Sequence, residues 1–115
     1  MTTQPDQLSF AHAAHVSSIL RELGVPTHLS GFRQLCFAIL YYAQTNSECL
    51  SKEIYPAVAK QFGHASGISI ERSIRSAILY AWINRESDAW DKYFPGAPKV
   101  PSNKVFITVL AEHIR

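Results

Sequence analysis

Residues 69–85 read SIERSIRSAILYAWINR and carry the clearest structural pattern in the chain. At 100° per residue, five apolar side chains fall on one side of a helix: Ile70, Ile74, Ala77, Ile78 and Ala81. The opposite side carries Arg72, Arg75 and Ser76. The stretch therefore predicts an amphipathic helix that buries one face and presents two guanidinium groups on the other.

A second, shorter helical segment precedes this one. Residues 54–62 read IYPAVAKQF, and a polar sequence, GHASGIS, follows at residues 63–69. A helix, a turn and then an amphipathic helix with paired arginines is typical of a helix-turn-helix DNA-binding unit. In the alternative interpretation the arginines are only the solvated face of a core helix, which is the commoner arrangement of charges on amphipathic helices. The spacing alone leaves both interpretations open.

Composition limits the class of protein. A chain of 115 residues with 47% hydrophobic and 17% charged residues is long enough for one packed domain and too apolar for a disordered polyelectrolyte. No apolar run approaches the roughly 18 residues of a membrane span, and the N-terminus lacks a basic start followed by an apolar core. We therefore expect a single cytoplasmic domain over residues 1–115, with residues 1–7 flexible.

Apolar periodicity and capping residues predict six helices and almost no strand. The first spans about residues 7–23 and is capped by Asp6, and the last spans Asn103 to about Ile114. The other helices begin at serines, with Ser30, Ser51 and Ser87 as the caps of the second, third and fifth and Ser102 as the cap of the last. The predicted fold class is all-α, with the helix-turn-helix inside a six-helix domain.

Charge is distributed unevenly along the chain. The formal net charge is only +2, but residues 54–85 carry Lys60, Arg72, Arg75 and Arg85 against Glu71 alone, a net charge of +3. Lys99 and Lys104 add two positive charges in the C-terminal third. Such modest charge gives only weak support for a polyanion partner, and it fits a domain that makes a few phosphate contacts and gains affinity by pairing on DNA.

No set of residues indicates catalysis or a bound metal. His12 and His15 lie three residues apart on one helical face, but the sequence suggests no third ligand. A nucleophile elbow, a glycine-rich phosphate loop and an HExxH motif are all absent from the sequence. Cys36 and Cys49 do not form a CxxC pattern, so we interpret both as free thiols. We expect no enzyme activity, no metal and no cofactor.

Four blocks of this sequence resemble successive blocks of one family: residues 24–32, GVPTHLSGF; residues 54–62, IYPAVAKQF; residues 70–78, IERSIRSAI, followed by Ala81-Trp82; and residues 101–107, PSNKVFI. The family is the C-terminal DNA-binding effector domain of the master sporulation response regulator of endospore-forming bacteria. The resemblance extends over about residues 8–115.

The resemblance implies a site and partners. The fourth helix is expected to enter the major groove of double-stranded DNA at a TGTCGAA-like box, with Glu71, Arg72 and Arg75 at the base-reading positions. Contacts to the DNA backbone are expected from Lys60, Ser69, Ser76, Lys99, Asn103 and Lys104. Family members bind tandem boxes as pairs that associate on DNA, and they contact the sigma subunit of RNA polymerase. The corresponding region here is residues 85–93, with Arg85, Glu86 and Asp88 as the polymerase contacts.

The sequence also departs from the family pattern. Ser76 replaces a histidine, Leu79 replaces an exposed acidic residue, and the turn between Phe62 and Glu71 is one residue longer. These changes could shift the preferred box, or Leu79 and Ile83 could meet an apolar partner. The family's phosphoacceptor receiver domain has no counterpart in this sequence, so the chain is either an effector fragment or a free-standing relative. The alternative function is an all-helical protein-interaction module that keeps the fold without operator recognition.

Overall fold

The computed structural model describes residues 5–45, 49–63 and 66–115, with side chains from residue 11 onward. Within these ranges the chain forms six α-helices and no strand: α1 (Pro5–Glu22), α2 (Ser30–Thr45), α3 (Tyr55–Phe62), α4 (Gly67–Ile83), α5 (Ser87–Tyr93) and α6 (Asn103–Ile114). A π-helical turn, Leu50–Ile54, leads directly into α3. The all-α, six-helix prediction is confirmed.

Helix α2 is the centre of the domain. It packs against α1, α4 and α6, and Leu35 and Ile39 on α2 are fully buried. Ile74 of α4 and Phe106 of α6 are also fully buried. The burial of apolar side chains such as these is the main contribution that stabilises the folded state of a domain of this size.

Gly31 lets α2 and α4 approach each other closely. A Cβ atom at this position would lie 2.6 Å from the Ser73 carbonyl oxygen and 2.7 Å from the Ala77 Cβ. Both distances are shorter than van der Waals contact, so a larger residue cannot fit without separating the helices. Ser30 Oγ and Ser73 Oγ add a hydrogen bond at 3.1 Å across the same contact. The close packing of α4 against α2 at Gly31 therefore fixes the orientation of α4.

Helix α5 is attached to the end of α1 by polar contacts. Trp90 Nε1 donates to the Leu23 carbonyl at 2.9 Å. The Tyr93 hydroxyl donates to one Glu22 carboxylate oxygen at 2.7 Å, and Lys92 Nζ lies 3.2 Å from the other. These two hydrogen bonds hold the pKa of the Glu22 carboxyl below its usual value, and the bond from Tyr93 has the larger effect.

The capping predictions are partly right. Ser102 caps α6 as predicted, and its Oγ accepts from the Val105 N–H at 3.1 Å. At α5 the predicted cap is wrong: Glu86 occupies the cap position without a side-chain bond, and Ser87 is the first helical residue. Likewise, α2 begins at Ser30 itself, and Ser51 lies inside the π-helical turn that precedes α3.

The N-terminal helix begins earlier than the sequence predicts. Helix α1 starts at Pro5, so Asp6 lies within the helix and not in front of it. Of the segment 1–7 that we expect to be flexible, residues 1–4 lie outside the described residues. Among the described helices, none combines the length and the apolar character needed to cross a membrane.

Candidate nucleic-acid interface

Helices α3 and α4 form the predicted helix-turn-helix. Gly63 ends α3 in the left-handed conformation, with φ at +72°, which glycine adopts without steric cost. A Cβ atom at Gly67 would lie 3.3 Å from the Tyr55 Cβ, so α4 starts close against the start of α3. Ser66 caps α4 and accepts from the Ser69 N–H at 3.3 Å. Residues 64 and 65 of the turn lie outside the described residues.

Helix α4 has the two faces that the sequence predicts. All five residues of the predicted apolar stripe are at most 1% exposed: Ile70, Ile74, Ala77, Ile78 and Ala81. Glu71, Arg72 and Ser76 are exposed, and Arg75 is half-buried. The register of α4 on the core therefore directs its charged residues toward solvent.

The exposed face of α4 borders an open groove of about 680 Å³. The groove lies between the π-helical turn, α4 and the first residues of α6. Its lining residues are Cys49, Leu50, Ser51, Tyr55, Glu71, Arg72, Arg75, Ser102, Asn103 and Lys104. Three cationic side chains and one carboxylate thus share a single concave surface.

Arg75 differs from Arg72 because it is also bonded within the domain. Its Nη1 donates to the Pro101 carbonyl at 2.7 Å, which links α4 to the loop before α6. A guanidinium group has five N–H donors, so this bond leaves donors for a further partner while it fixes the direction of the group. Arg72 is the more exposed of the two.

Asn103 is a structural link in this groove. The residue is 9% exposed, and its Nδ2 donates to the Tyr55 hydroxyl at 3.0 Å and to the Glu71 carbonyl at 3.2 Å. Both amide hydrogens are therefore used inside the domain, which argues against the predicted contact of Asn103 with a DNA phosphate. Burial raises the pKa of the Tyr55 hydroxyl, so this group stays protonated at neutral pH.

The other residues predicted to contact the DNA backbone are distributed around the groove. Lys104, on the first turn of α6, is exposed and lies in the groove itself. Lys60 is exposed in the last turn of α3, and Ser69 and Ser76 are exposed on α4. Lys99 is exposed in the loop before α6 and lines a separate, mainly apolar cavity with Phe94 and Val105 among other residues.

The residues predicted to contact polymerase lie beyond the C-terminal end of α4, at the start of α5. The Arg85 guanidinium carbon lies 3.7 Å from the centre of the Trp82 ring, and its Nη1 donates to the Trp82 carbonyl at 2.8 Å. Glu86 and Asp88 are exposed at the start of α5. At 1.5 Å per residue, the end of α4 is roughly 16 Å from Arg72 along the helix axis.

The residues that position the walls of the groove are not among those predicted from the sequence. Tyr55, Pro101 and Ser66 position the surface through long-range or local bonds. Tyr55 and Pro101 lie within two of the blocks that resemble the family, but nothing in those blocks indicates the bonds that they make. Within the described part of the chain, no three His, Cys, Asp or Glu side chains are close enough to hold a metal ion. His15, one of the two histidines considered for metal binding, is exposed on α1.

A helix-turn-helix whose second helix is buried on one side and cationic on the other defines a class of DNA-binding domain. The comparison with protein families identifies the family. Residues 16–114 match the model described as sporulation initiation factor Spo0A C terminal, and the chain belongs to that family. The match confirms the resemblance found in the sequence. Its members are DNA-binding domains of a sporulation regulator, which places this chain among transcription regulators and not in a family of enzymes.

Proposed function

We propose that this domain regulates transcription by reading a TGTCGAA-like box in the major groove with α4. One observation carries the proposal. Glu71, Arg72 and Arg75 lie together on the face of α4 that lines the open groove of the protein, and the opposite face of α4 is buried in the core. A helix held in this way can enter the roughly 12 Å wide major groove without repacking the domain.

Each of the three side chains has a chemical complement among the base edges. An arginine can donate two parallel hydrogen bonds to guanine O6 and N7, and a glutamate can accept from cytosine N4. We assign the two arginines to guanines and Glu71 to a cytosine. The bond to Pro101 supports this role for Arg75, because a guanidinium group that is already oriented loses less freedom when it meets a base.

Phosphate contacts would then come from the rim of the groove. Lys104 lies on the first turn of α6, where the positive end of the helix dipole also favours an anion. Lys60 and the hydroxyls of Ser69 and Ser76 lie on the two helices of the unit, and Lys99 lies at the far edge. These contacts fix position and carry no base preference.

A domain with so few phosphate contacts is expected to bind one box weakly. We propose that two copies occupy tandem boxes and associate on DNA, since the second copy then binds at high effective concentration. We also propose that Arg85, Glu86 and Asp88 contact the polymerase sigma subunit. Their position at the far end of α4 leaves them outside the groove that faces DNA.

The alternative function, a protein-interaction module, has one observation in its favour. Tyr80 and Ile83, in the last turns of α4, are 52% and 75% exposed, and Leu79 beside them is half-buried. A cluster of this kind can be an ordinary exception on a soluble surface or a contact for another protein.

A mobility-shift titration on one-box and two-box duplexes at two salt concentrations tests the proposal. The wild-type protein should bind the boxes more tightly than scrambled DNA, and its affinity should fall as the salt concentration rises. Its affinity per box should be higher on the two-box duplex than on the one-box duplex. Arg21→Ala is the control for the loss of a positive charge away from the groove, because Arg21 is exposed on α1 and does not line the groove. This variant should bind DNA as the wild type does. Binding that ignores sequence, together with capture of a protein partner, would favour the interaction module.

A further inference from the structure

Ile68 is a large apolar side chain at an unusual place in this fold. It lies in the first turn of α4 and is 64% exposed. Single exposed isoleucines are common on soluble proteins and need no explanation by themselves. The position of Ile68 distinguishes it, because the N-terminal residues of a recognition helix are the ones that contact base edges.

The neighbours of Ile68 on the helix surface are the proposed base readers. Residues three and four positions apart on a helix are surface neighbours, so Ile68 lies one turn before both Glu71 and Arg72. Ile68 and Glu71 also line a common shallow cavity. The isoleucine thus extends the reading surface toward the N-terminal end of α4, where it adds an apolar group to a row of charged groups.

Two local contacts hold in place the backbone just before Ile68. Ser66 caps the helix, and Gly67 fits so closely against Tyr55 that even a Cβ atom would be only 3.3 Å away. Isoleucine itself is branched at Cβ, which restricts its χ1 rotamers. An apolar surface fixed in this way loses little conformational freedom when it is buried against another apolar group.

The major groove offers one apolar recognition group, the 5-methyl of thymine. We propose that Ile68 is a specificity-determining residue that packs on a thymine methyl next to the bases read by Glu71 and Arg72. The inference rests on the proposed function, since it requires α4 to enter the major groove. It adds a preference for thymine at one position, which the charged residues cannot supply.

Replacement of thymine by deoxyuridine removes this methyl group and leaves the pairing edge unchanged. Each thymine of a two-box duplex is replaced in turn, and affinity is measured for the wild type, Ile68→Ala and Ile83→Ala. Ile83 is the matched control, because it is an equally large and exposed side chain on the same helix, roughly 22 Å farther along the axis. Melting curves of the three proteins verify that each is folded.

The wild type should lose about fourfold in affinity at one thymine position of each box, which corresponds to one buried methyl group. Ile68→Ala should bind the original duplex more weakly and lose nothing further at that position, and Ile83→Ala should respond as the wild type does. Equal sensitivity of the wild type and Ile68→Ala at every thymine would overturn the inference while leaving specific binding intact. Absence of any sequence preference in the wild type would remove the proposed function and this inference with it.

Discussion

The two arginines of α4 should differ in their effect on folding, although the sequence makes them look equivalent. In Arg75→Ala the Pro101 carbonyl loses a charged donor at 2.7 Å, and Pro101 is buried. Hydrogen bonds to charged groups contribute about 1.5–3 kcal/mol. Because Arg75 is only half-buried, water can replace part of this bond, and we expect a loss of about 1–2 kcal/mol in the free energy of unfolding.

For a domain of this length, such a loss lowers Tm by roughly 4–8 °C. Arg72→Ala removes an exposed side chain and should change the free energy of unfolding by less than about 0.5 kcal/mol. Urea denaturation followed by circular dichroism measures both variants, and Ser76→Ala serves as a control on the same exposed face. Equal destabilisation by the two arginine variants would refute the role assigned to the bond between Arg75 and Pro101.

Two further predictions concern the core, and a third concerns the thiol of Cys36. Ile74→Ala should cost about 2–5 kcal/mol of folding stability by leaving a cavity, and an unchanged urea midpoint would show that the assigned face of α4 is rotated. Gly31→Ala should destabilise by about 1–3 kcal/mol, because the added methyl would overlap the backbone of α4; a thermal melt matching the wild type would contradict the close approach. Burial raises the pKa of the Cys36 thiol to about 11, so little thiolate exists at pH 8 and alkylation by iodoacetamide should accelerate only as pH rises toward 11. Mass spectrometry of the labelled protein measures that rate, and fast labelling of Cys36 at pH 8 would be the contrary result.

The sequence predicts the parts of this fold that depend on local periodicity. The apolar stripe of α4 is confirmed residue by residue, because a 3.6-residue repeat and a single core determine which side is buried. Ser102 is confirmed as a cap, since it stands directly before an apolar-periodic helix. The start of α4 is predicted two residues late, because three serines and a glycine in residues 66–73 offer several equivalent caps.

The site could be predicted only in part. The residue types that suit base recognition are visible in the sequence, and their common face follows from helix geometry. The links from Arg75 to Pro101 and from Asn103 to Tyr55 join positions far apart in the chain, and no local pattern reports such contacts. For this reason Asn103 looks like a surface donor in the sequence and is an internal link in the structure.

In the proposed mode of binding Arg72 reads a particular base, and affinities for altered boxes test this assignment. Fluorescence anisotropy gives the affinity of the wild type and Arg72→Ala for the box and for boxes in which each guanine is exchanged in turn. The wild type should lose about 1–3 kcal/mol of binding free energy when one particular guanine is exchanged. Arg72→Ala should bind the original box more weakly by a similar amount, and its affinity should not change when that guanine is exchanged. Lys60→Ala, the control for a phosphate contact, should weaken all sequences alike. If Arg72→Ala instead weakens specific and random duplexes in the same proportion and keeps every guanine preference, α4 does not read DNA through this residue.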